Sequence, residues 1–178
     1  MCSRERRISY HIPFDGTSRH PYYTDIRTEL RLTMIQAIHR GLRHLALRVT
    51  DLARSRRFYE QVLGFQAVWE PDAENVYFSS GVDNLALHQI PKGELAAYQP
   101  PKAQLLDHMG VILDSPEAVD RMYREIAPTI ESLGGHIAKE PKQHRDGSYS
   151  FYVTDPDGNA IQALYEPTIS KLTLSAES

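Results

Sequence analysis

A chain of 178 residues is sized for one domain, or one domain with an arm, and its 41% apolar and 24% charged residues match globular usage rather than a disordered or fibrous one. A net charge of −3 offers no basic field to nucleic acid or anionic lipid, no apolar run is long enough to span a membrane, and the first residues lack the apolar core of a secretory signal. The expectation is therefore a cytoplasmic protein whose partners are small molecules, not nucleic acid or membrane. Cys2 is the only cysteine, which excludes an intrachain disulfide and the multi-cysteine zinc patterns.

Residues 1–41 hold seven basic and four acidic residues, a net +3 against −3 for the whole chain. Turn signals at Phe14-Asp15-Gly16 and His20-Pro21, with a short helix signal from Thr24 to Arg40, read as an N-terminal arm, loosely docked or disordered. Residues 168–178 read as a C-terminal tail.

From Leu42 the chain repeats itself, over about 42–91 and 106–167. His44-Leu45-Ala46-Leu47-Arg48-Val49 matches His108-Met109-Gly110-Val111-Ile112-Leu113: a histidine, then strand alternation. Each strand runs into a helix signal, capped by Asp51 in one copy and by Ser115 with Pro116 in the other. The helical regions close at Leu63-Gly64 and Leu133-Gly134, the second after an interruption at Pro128, and Glu-Pro follows each closure at Glu70-Pro71 and Glu140-Pro141. Two further strands then follow in each copy, Val76 to Ser79 and Leu85 to Ile90, then Tyr149 to Thr154 and Ala160 to Glu166. The last two form a hairpin around Asp155-Pro156-Asp157-Gly158-Asn159. With the stretch that carries each Glu-Pro counted as a strand ahead of those two, each copy predicts a strand, a helix and three strands.

Strand periodicity places His44, Ala46 and Arg48 on one face and Leu45, Leu47 and Val49 on the other. In the second copy His108, Gly110 and Ile112 share the face of Gln162 and Leu164. A single strand histidine is usually structural, but two at repeat-equivalent positions, each beside a tiny residue, leave open space before two imidazoles, which suits a metal with exchangeable positions. His88, on the face of Ala86, is read as a substrate contact or further ligand. Arg48 pairs with an anionic substrate or bridges to Glu166. His11, His20, His39 and His136 show no comparable arrangement.

His44, Val49-Thr50-Asp51-Leu52, Phe58-Tyr59, Leu63-Gly64-Phe65 and Asp155-Pro156-Asp157-Gly158-Asn159 together resemble the signature of the vicinal oxygen chelate superfamily of glyoxalases, bleomycin resistance proteins and extradiol dioxygenases. The resemblance covers residues 42–167. It implies an α+β fold of two βαβββ modules forming a cup-shaped mixed sheet, in a homodimer. It also implies a divalent metal, Fe(II) or Mn(II) first and zinc or nickel as alternatives, held by His44, His108 and Gln162. Glutamate is common among enzymes of the family where Gln162 stands; the neutral amide neutralises less of the ion's charge.

His144, Phe151-Tyr152, Asp155-Pro156, Gly158 and Gln162 further resemble the order of the extradiol dioxygenase motif, in which the histidine and tyrosine flank the chelated substrate. His144 and Tyr152 are then the catalytic residues, with His88 and Arg48 as substrate contacts. Lys142, and Asp83-Asn84 where a further histidine is expected, depart from that motif. The functional expectation is a metal-dependent, extradiol-dioxygenase-like enzyme acting on a small oxygenated metabolite. The alternatives are a glyoxalase-like lyase or isomerase with Glu166 as its base, and a metal-free binding protein of the bleomycin-resistance kind.

Overall fold

The computed structural model describes residues 41–99 and 106–171. The predicted arm, with its Thr24 to Arg40 helix, and the tail beyond 171 lie outside the described residues.

The first module runs β1 (His44–Val49), α1 (Leu52–Leu63), β2 (Gln66–Asp72), β3 (Asn75–Ser79) and β4 (Asn84–Gln89), followed by a single helical turn, α2 (Lys92–Leu95). The second runs β5 (Met109–Ile112), α3 (Pro116–Ile126), a 3-10 turn (Ile130–Leu133), β6 (His136–Gln143), β7 (Tyr149–Thr154) and β8 (Ala160–Tyr165). The predicted caps are in place. Asp51 accepts from Arg54 N at 3.0 Å, and Ser115 Oγ accepts from Ala118 N at 3.2 Å. Gly64 (φ 70°) and Gly134 (φ 85°) take the left-handed conformation that lets the chain leave each helical segment.

Each module folds into its own four-stranded mixed sheet, ordered β1-β4-β3-β2 and β5-β8-β7-β6. In both, the first strand is parallel to the last and the others are antiparallel. This register proves the repeat: Ala46 lies opposite Ala86 and Gly110 opposite Gln162, so Ala86 and Gln162 hold equivalent positions. No strand of one sheet pairs with the other among the described residues, so β1 and β5 each keep one free edge.

The buried faces of the sheets share one apolar core. Leu47, Val49, Phe58, Tyr59, Phe78 and Leu87 from the first module join Val119, Ile130, Phe151, Val153 and Ile161 from the second. Helix α1 is the joint. The Tyr59 hydroxyl donates to Asp155 at 2.9 Å, while the Asp157 carboxylate accepts from Thr50 N (3.2 Å), the Thr50 hydroxyl, Ser55 Oγ (3.3 Å) and Arg54 (3.1 Å). The β7–β8 turn is therefore an anion docked at the start of α1, where unpaired amides and the helix dipole favour negative charge. Both sheets turn their other faces outward, and the predicted site residues lie on those faces.

Candidate metal and substrate site

Across the second sheet the open face carries aligned rows. Lys139, Tyr152, Gln162 and Gly110 stand opposite one another on β6, β7, β8 and β5; Ser150, Leu164 and Ile112 form the next row. His108 sits immediately before β5, which begins at Met109 rather than at the histidine. A pocket of about 380 Å³ opens over these rows, lined by His108, His144, Arg145, Asp146, Ser148, Tyr152, Gln162, Leu164 and Glu166. Four of the residues predicted as ligands or catalytic groups thus share one pocket: His108, His144, Tyr152 and Gln162.

Nδ1 of His108 lies 2.5 Å from Oδ1 of the exposed Asp107. A carboxylate accepts, so Nδ1 donates, and in the neutral ring the lone pair is then on Nε2. The ring also meets Tyr152 edge to face at 5.4 Å. Burial, with the charge of Asp107, raises the Tyr152 phenol above its ordinary value while the Ser150 hydroxyl opposes them, so Tyr152 is a neutral donor at physiological pH. Lys139 Nζ caps the outer face of the same ring at 4.4 Å. Gln162 is buried and donates through Nε2 to Ser150 Oγ at 2.8 Å; the same oxygen lies 2.7 Å from Nε2 of His144.

His44, His88 and Arg48 lie elsewhere, on the open face of the first sheet. Nδ1 of His44 is 2.6 Å from Asn84 Oδ1, which again leaves Nε2 with its lone pair, and the ring is exposed at the free β1 edge. His88 pairs with Asn75 Oδ1 at 2.5 Å and meets the Tyr77 ring at 5.8 Å. Arg48 reaches Glu94 of α2 at 3.5 Å with both side chains largely exposed, so it does not bridge to Glu166. One oxygen of Glu166 is held by its own turn, accepting from Thr168 N, Ile169 N and the Thr168 hydroxyl.

Sequence reading missed Ser150, and with it Tyr77, Trp69 and Lys139. Trp69 and Tyr77 lie face-near at 4.7 Å, and Tyr77 occupies in the first sheet the position of Tyr152 in the second. The two-residue period was the available signal: it puts Ser150 beside Tyr152 on the face of Gln162.

Within one chain the described residues bring no three His, Cys, Asp or Glu side chains together as a metal cage. The donor chemistry nevertheless fits a divalent ion. His44 and His108 hold the tautomer a metal needs, each steadied through Nδ1, and Gln162 supplies an oxygen. One pocket contains two of these three donors.

The model of the Glyoxalase/Bleomycin resistance protein/Dioxygenase superfamily matches residues 41–163. The chain belongs to that superfamily. Within the superfamily it is 30% identical over 131 residues to a 2,2',3-trihydroxybiphenyl dioxygenase of Sphingomonas paucimobilis, covering 68% of this chain and 40% of the dioxygenase. It is 29% identical over 123 residues to the metallothiol transferase FosB of Bacillus licheniformis, covering 68% of this chain and 73% of the transferase. The superfamily fold is matched by a glyoxalase-related enzyme from Fulvimarina pelagi at a TM-score of 0.57 and 17% identity, over 72% of this chain and 90% of that one.

Proposed function

We propose that this chain is a metal-dependent enzyme acting on a small oxygenated metabolite. Its chemistry is extradiol-dioxygenase-like, with bidentate chelation of the substrate at Fe(II) or Mn(II). Its complete site forms in a homodimer, where His44 of one copy joins His108 and Gln162 of the other. The observation that carries this reading is the one pocket holding His108, Gln162, His144 and Tyr152, with His44 on a strand edge that pairs with nothing among the described residues. A bound divalent ion would polarise adjacent substrate oxygens and stabilise negative charge on them.

The chain's own residues then have distinct tasks. His44 and His108 present unprotonated Nε2 atoms, and Gln162 presents its carbonyl. The raised phenol of Tyr152 keeps its proton and donates a hydrogen bond to a substrate oxygen. His144, which lines the same pocket, is a second group for proton transfer. Leu164 adds an apolar contact to the otherwise polar lining of the pocket.

A second reading, metal-free binding, is favoured by one observation: Gln162 is neutral and its first-module equivalent is Ala86. Metal analysis of protein purified without chelators separates the two. The enzyme reading expects about one equivalent of iron or manganese per chain, and less than about a tenth would favour the binding protein. A glyoxalase-like lyase is the weaker enzymatic alternative, because Glu166, its base, is tied to the turn after β8.

A further inference from the structure

Three of the functional groups meet at one side chain. Ser150, 1% exposed on β7, bonds both Gln162 (2.8 Å) and His144 (2.7 Å), and its hydroxyl bears on the ionisation of Tyr152. A serine hydroxyl has one proton and two lone pairs. An amide nitrogen only donates, so Gln162 Nε2 takes a lone pair of Oγ and the serine proton must go elsewhere. In a buried position that proton requires an acceptor, and Nε2 of His144, 2.7 Å away, is the side-chain atom within hydrogen-bond reach that can accept it in one of its two tautomers.

The consequence for Gln162 is directional. Its Oε1 makes no hydrogen bond to the described residues; among them the only buried side-chain polar atom without a partner is Nε of Arg54. Oε1 is therefore open to the pocket that Gln162 lines. The reversed arrangement has the opposite chemistry. If Oε1 accepted from Ser150, the serine would have to accept from His144, and Gln162 would turn an NH₂ group, which cannot ligate a cation, into the pocket.

We infer that Ser150 is the positioning residue of this site: its single hydroxyl fixes the Gln162 amide with the carbonyl toward the pocket, and by the same bond network sets His144 in the tautomer protonated at Nδ1. The inference rests on the reading of Gln162 as a ligand, and it explains how a glutamine can serve where the resemblance expects glutamate. A carboxylate offers an acceptor whichever way it turns. An amide must be held one way round.

The test follows from that difference. Mn(II) binding is titrated in the wild type, S150A, Q162E and the double variant, with S150T as the conservative hydroxyl-retaining control and thermal unfolding to confirm folding. Loss of a group that orients a ligand costs about 10–100-fold in metal affinity. S150A is expected to weaken Mn(II) binding by about tenfold or more in the wild-type background, and by less than about threefold with Q162E, where orientation no longer matters. S150T should recover most of the loss. An equal loss in both backgrounds would show that Ser150 supports packing only and would overturn the inference.

A metal-independent arm separates this failure from failure of the metal reading. In metal-free protein, nitrogen-15 NMR should find His144 protonated at Nδ1 in the wild type and redistributed between tautomers in S150A. A tautomer unchanged by S150A would contradict the inference even if Mn(II) binds, and absence of Mn(II) binding in every variant would contradict the enzyme reading instead.

Discussion

In the proposed site, Gln162 is the residue on which metal binding would turn. Its amide lies at the equivalent of Ala86, between Tyr152 and Gly110, in a row that ends in Lys139. Because a carbonyl dipole neutralises a divalent ion less than a carboxylate does, Gln162→Glu should raise metal affinity, by about tenfold if the site lacks only charge. Calorimetric titration with Mn(II) reads this directly, and an unchanged affinity would mean that position 162 does not face the ion.

A second residue, Tyr59, links the modules. Its phenol is raised well above 10.0, first by burial and then by the charge of Asp155, to which it also donates. The unfolded chain therefore releases this proton first. The stabilisation is fully present below about pH 10 and is lost as pH climbs toward the higher folded value. Tyr59→Phe should cost about 1–2 kcal/mol at neutral pH, because Asp155 loses one of its buried donors. It should also flatten the alkaline decline, as urea unfolding at neutral pH and above about pH 10 would show.

At the scale of elements, much of the architecture was legible because local signals agreed. Asp51 and Ser115 cap helices as expected, Gly64 and Gly134 end helical segments, and β7 and β8 form the hairpin that the Asp155 to Asn159 turn called for. The strand faces that carry His44 on β1 and Gln162 on β8 also follow from alternation. Side-chain bonding was not legible. Nothing in the spacing of Ser150, His144 and Gln162 states that one hydroxyl joins them, since that depends on how β6, β7 and β8 pair across bulged registers.

The contact between modules was equally hidden. A Cβ at Gly135 would lie 2.4 Å from Phe58 Cε2 and 2.5 Å from the Thr154 carbonyl, so the residue just before β6 must carry no side chain if α1 is to pack there. Gly135→Ala should destabilise the fold by about 2 kcal/mol or more through overpacking. Chemical denaturation would measure it, and a neutral result would contradict this packing of α1 against the second module.

For the whole molecule, the decisive feature is that the two sheets of one chain do not pair with each other. Their open faces carry the two halves of the expected ligand set, and among the described residues two of the four sheet edges, those of β1 and β5, belong to strands at or beside which the histidines stand. Exposed edges are natural pairing surfaces, and a twofold dimer would use both, bringing β1 of each copy beside β5 of the other. Each copy would then supply His44 to one site and His108 with Gln162 to the other. That arrangement makes subunit complementation the most direct test. Neither H44A nor H108A alone should hold metal tightly. Co-expressed and purified as a mixed dimer, they should regain about half the wild-type metal content, because one of the two sites then receives both histidines. No recovery in the mixed dimer, with full metal content in the wild type, would contradict a site shared between two copies.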